Sequence, residues 1–101
     1  MREDKLDEIS QYVEMDRDLL LEKGVEAFLR ERKRELMIER YELLSRHEVS
    51  NLEELKKKIE TGDVKEHPSW EDLITLENLN ETLSHIDEYQ EELQGTTLTS
   101  P

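Results

Sequence analysis

The sequence predicts an all-α protein, and three observations carry that reading. Sixteen of its apolar residues are Leu, and only five residues are aromatic, a mixture that favours helices over sheets, which draw on β-branched and aromatic residues. Apolar residues recur at spacings of three and four in four separate segments. Cap-forming residues stand at the starts of two of those segments, and a Gly at the end of one. The expected architecture is a long helix packed with a short helix and a C-terminal amphipathic helix. That describes a helical hairpin or three-helix bundle, as a monomer or closed as a dimer. Residues 1–94 are expected to form a single helical domain, with 1–16 either frayed or a separate short helix, and 95–101 a disordered tail.

Leu6, Ile9 and Val13 form one narrow stripe, which predicts a weak helix over 3–14. Asp16 or Asp18 then offers an N-cap for the next segment. From Asp18 to His47 there is no Pro and one Gly, predicting a helix of roughly 45 Å. Val25, Phe28, Leu29, Leu36, Leu43 and Leu44 fall on one side of it, within a sector of roughly 160° at 100° per residue. Arg32 lies inside that stripe, where its aliphatic stem can cover apolar surface. Gly24 either interrupts this helix or is carried within it, at a cost of about 1 kcal/mol relative to Ala.

Ser50 and Glu53 have the spacing of a capping box and predict a helix over 51–61, with Leu52, Leu55 and Ile59 facing inward. Gly62 suits the left-handed residue that ends it. Pro68 is expected to hold His67 out of the helical region, and Ser69 to cap a last helix over 69–93. Trp70 is expected to bury its ring against Ile59, Val64 and the long helix. Leu76, Leu79, Leu83, Ile86, Gln90 and Leu93 then repeat at three and four, a heptad seam with one polar position.

The chain has 101 residues with a formal net charge of −13, and from Glu66 onward nine acids and no Lys or Arg. That field repels phosphate backbones, so nucleic acid is not an expected partner. The basic island Arg30, Arg32, Lys33 and Arg34 reads first as a solvated helix face with short-range ion pairs. No apolar run approaches the ~20 residues of a membrane span, and no cysteine is present for a disulfide or thiolate site. A soluble, cytoplasmic protein is expected. There is no Gly-rich phosphate loop, nucleophile elbow or His-Glu-x-x-His pattern. His85 has Glu81 and Glu88 at helical spacing, which a solvated surface explains. No enzyme activity, cofactor or metal is expected.

Leu52-Glu53-Glu54, the turn at Gly62, and the step His67-Pro68-Ser69-Trp70-Glu71-Asp72 leading into the last helix form a distinctive run. It resembles a loosely defined group of small helical proteins from archaea and bacteria. The likeness is close over residues 52–79 and holds in outline over 25–93; residues 1–24 lie outside it. The resemblance implies an antitoxin-like companion of a neighbouring toxin-like protein. Two functional expectations follow. One is a non-enzymatic interaction module whose acidic half masks a basic protein partner, through Leu83, Ile86, Glu88, Gln90, Glu91 and Leu93. The other is a homodimeric structural protein closed through the same seam. Ser50, Glu53, Gly62, Pro68, Ser69 and Trp70 are read as structural.

Overall fold

The computed structural model describes residues 3–62 and 66–98, and among them it contains four α-helices and no strand. These are α1 (Glu3–Tyr12), α2 (Arg17–Arg46), α3 (Leu52–Glu60) and α4 (Glu66–Leu98). The Asp16 carboxylate opens α2 by accepting the amides of Asp18 and Leu19. Gly24 does not break the helix, which runs through it without interruption. Between α1 and α2 the Ser10 hydroxyl donates to the Met15 carbonyl, and Glu14 takes a left-handed φ of 54°.

α3 starts one residue later than its Ser-Glu pattern predicts. Asn51 is the cap, its side-chain oxygen accepting the Glu54 amide at 2.9 Å, while Glu54 reaches back to the Ser50 amide at 2.5 Å. Asn caps at least as well as Ser, and the later start leaves Leu55 and Ile59 facing inward all the same. Gly62 follows α3 with φ 76°, the left-handed conformation that only Gly adopts without a Cβ penalty.

α4 corrects four expectations. It begins at Glu66, so Ser69 is not its cap but a buried residue of its first turns, 2% exposed. Pro68 and the preceding His67 lie within the helix, because first-turn amides have no intrahelical acceptor to lose. Trp70 is 45% exposed and does not anchor the core; its expected contact with Val64 falls outside the described residues. At the other end the helix continues through Gly95 to Leu98, where a tail from residue 95 is expected. Residues 99–101 lie outside the described residues.

Among the described residues the main core cluster is Leu43, Leu44, Leu55, Ile59, Leu73, Leu76 and Leu79, with Leu36, Val49 and Leu52 packed against it; Leu6 and Ile86 are buried outside it. The cluster gathers at one end of an antiparallel α2–α4 hairpin. The register is marked by polar pairs: His47 with Asp72, Arg40 with Asn80, and Lys33 with Asp87. Steps of seven residues down α2 are matched by steps of eight and seven residues up α4. The radius of gyration is 19.6 Å and the extents are 60 × 31 × 16 Å, well beyond the ~13 Å radius of a compact chain of this length. A 16 Å thickness holds at most two layers of helices with axes about 8–10 Å apart.

Candidate functional site

Two features of α2 shape the surface. The side that meets α4 carries Leu29, Lys33, Leu36, Arg40, Leu43 and His47, a heptad in which every second position is a cation or imidazole. Each polar position finds a counterpart in α4. The Lys33 ammonium lies 2.7 Å from Asp87, and Arg40 Nε donates to Asn80 Oδ1 at 2.8 Å. His47 Nε2 lies 2.6 Å from Asp72 Oδ2, which also accepts from Arg46 at 3.2 Å. With α4 seated there, the apolar stripe expected to be buried is split. Leu43 and Leu44 are buried and Leu29 and Leu36 half-buried, while Val25 and Phe28 stay exposed at 48% and 59%.

The second feature is the end of the hairpin that α3 does not reach. Between Arg17 and Glu42 no residue of α2 is fully buried. A recess of 570 Å³ is lined by Leu6, Ile9, Leu20, Leu21, Val25 and Phe28, with Gly24 and Arg17 at its wall. A second of 360 Å³ is lined by Val25, Leu29, Tyr89, Glu92 and Leu93. Val25 lines both, so the two recesses adjoin at it, one opening toward α1 and the other toward α4. Arg32 lies over the Phe28 ring, 5.5 Å from its centre.

The residues proposed from sequence divide accordingly. Ile86 is 6% exposed, and Leu83, Gln90 and Leu93 are half-buried, so most of the seam packs inside the chain. Glu88 and Glu91 point to solvent. Leu93 of the seam lines a recess. Ser50 and Glu53 are exposed. The recess between α1 and α2 is missed by the sequence reading, although the Leu6–Ile9 stripe and the run Leu19-Leu20-Leu21 before Gly24 are its signal.

The outward side of α4 presents Trp70, Ile74, Glu77, Glu81 and Glu88 as one exposed stripe, at helical spacings. Asp72 and Asp87 are turned instead to the cations of α2. His85 sits in the stripe 4.0 Å from Glu81 and 3.8 Å from Glu88. Across the molecule on α2, Arg34 donates to Glu31 at 2.9 Å. That hydrogen bond, reinforced by the guanidinium charge, lowers the Glu31 pKa from its ordinary value and raises that of Arg34. Among the described residues there is no grouping of three His, Cys, Asp or Glu able to hold a metal ion. Nor is any described helix long and apolar enough to cross a membrane.

A family model described as the uncharacterized protein MJ0235 family matches residues 1–98. The chain belongs to that family. The match takes in the N-terminal 24 residues, and with them α1 and the recess it builds against α2. No curated protein and no solved structure matches the chain.

Proposed function

We propose that this MJ0235-family chain is a non-enzymatic interaction module whose acidic α4 face masks a basic protein partner. The observation that supports the reading most is the exposed stripe of α4, where Trp70 and Ile74 stand at one end and Glu77, Glu81 and Glu88 continue it. No Lys or Arg follows Glu66 in the sequence to neutralise it. An aromatic and a branched aliphatic side chain supply desolvated contact area, and a row of carboxylates steers a cationic partner and sets its register. The antitoxin-like companion role implied by the sequence resemblance would use this surface, since masking a basic protein requires a sustained row of acids beside an apolar anchor.

The test is capture from native lysate with the full chain as bait, against a variant carrying Glu77→Lys, Glu81→Lys and Glu88→Lys. A basic protein held by the wild type, released by added salt and lost with the variant supports the reading. Identical proteins on both baits, or none on either, would overturn it.

A further inference from the structure

We infer that the uncovered apolar surface around Val25 is a self-association site, and that its occupant is the same surface of a second copy of this chain. α3 covers the α2–α4 hairpin only at the end where Leu36, Leu43 and Leu44 lie. The rest of α2, from Arg17 to about Lys33, has Val25 at its centre, and Val25 is the residue shared by the two recesses. Leu21, Val25 and Phe28 are exposed by 43%, 48% and 59% on this stretch. Contiguous exposed apolar surface rimmed by charged residues is a mark of association sites.

The charges choose the occupant. Asp18 lies seven residues before Val25 and Arg32 seven after it, two turns and about 10.5 Å in each direction, so all three share one side of the helix. A closed two-fold contact brings each residue against its symmetry counterpart about the centre. With two α2 helices crossing antiparallel at Val25, Asp18 of each copy meets Arg32 of the other, and Leu21 of each meets Leu29. Within one chain Asp18 is 3.9 Å from Arg17, and Arg32 is 3.8 Å from Glu35 and lies over the Phe28 ring. The two α3 helices lie at opposite ends of such a pair, where they do not collide. None of these residues belongs to the acidic stripe of α4, so the two surfaces stand or fall separately.

The experiment is sedimentation equilibrium of the full chain across a concentration series, with circular dichroism to confirm that each variant keeps its helix. The wild type is expected to dimerise, and Val25→Asp, at an exposed position, to stay helical and weaken the dimer at least 100-fold. Asp18→Lys or Arg32→Glu alone should each weaken it about tenfold, by turning two opposite-charge contacts into like-charge ones. The double variant carrying both exchanges should recover wild-type association. A wild type that remains monomeric at its highest soluble concentration overturns the inference. So does a dimer indifferent to Val25→Asp, or a double variant no better than the single ones.

Discussion

Leu76 is the residue on which the packing argument can be tested most directly. It is 0% exposed, inside the cluster that joins α2, α3 and α4. Leu76→Ala removes the transfer free energy of the deleted carbons, roughly 2 kcal/mol at about 0.8 kcal/mol per buried methylene. It adds a cavity term of about 24 cal/mol per Å³ left unfilled. A thin molecule lets neighbours settle inward, which places the expected loss toward the lower half of the usual range, at about 3 kcal/mol. For a chain of this size that is a large share of a total stability of about 5–10 kcal/mol. It corresponds to a fall in melting temperature of about 12 °C or more. The assay is urea unfolding followed by far-UV circular dichroism, with the slope checked for constancy so that the change is assigned to stability. Leu76→Met, which keeps the volume, should cost less than about 1.5 kcal/mol. A loss below about 1 kcal/mol for Leu76→Ala, at unchanged slope, would refute the packing of α3 over α4 on which the core rests.

Three further outcomes are expected. Trp70→Ala should cost about 1 kcal/mol, well under half the Leu76→Ala effect, because the indole is 45% exposed; a loss of 3 kcal/mol or more in the same melts would place the ring inside the core. Gly24→Ala should stabilise α2 by up to about 1 kcal/mol, since an added Cβ meets nothing within 4 Å, and destabilisation in thermal melts would contradict this. The Glu31 carboxylate, followed by NMR, should titrate below the ordinary glutamate value, and Arg34→Gln should raise its midpoint. Because the folded-state value is the lowered one, the pair's contribution is present at neutral pH and is lost as the pH falls through that value. A midpoint indifferent to Arg34→Gln would show the contact is not formed in solution.

Helix existence was legible in the sequence because spacing and caps agree: Asp16, one of two candidate caps, accepts two amides at the start of α2, and Gly62 follows α3 with positive φ. The errors fall where two chemistries share one pattern. Ser50 and Asn51 are both capable caps, and either leaves Leu55 and Ile59 inward, so hydrophobic spacing does not choose between them. Pro68 is a helix breaker in an interior and a tolerated residue in a first turn, and only burial of Ser69 shows which applies. The split of the α2 stripe had a different cause. Periodicity counts apolar residues, whereas the side of α2 that meets α4 includes Lys33, Arg40 and His47. Their partners Asp87, Asn80 and Asp72 are distant in sequence, so pairing them needs the register first.

That register explains why apolar residues remain outside. A slip of one heptad between α2 and α4 would set Leu73 opposite Arg40, or Gln94 opposite Lys33, stranding a half-buried charge. Alternating leucine layers with polar pairs therefore selects one alignment at a cost in burial, the trade made by polar seam positions in coiled coils. The apolar residues that a purely apolar seam would have taken up, Leu21, Val25 and Phe28, are displaced onto the flank. A chain with 34% apolar residues, against about 45–50% in ordinary globular domains, has little apolar surface to leave in water. Setting that surface at the end α3 does not reach, with Asp18 and Arg32 at equal distances on either side of Val25, gives the displaced residues a counterpart in an identical surface.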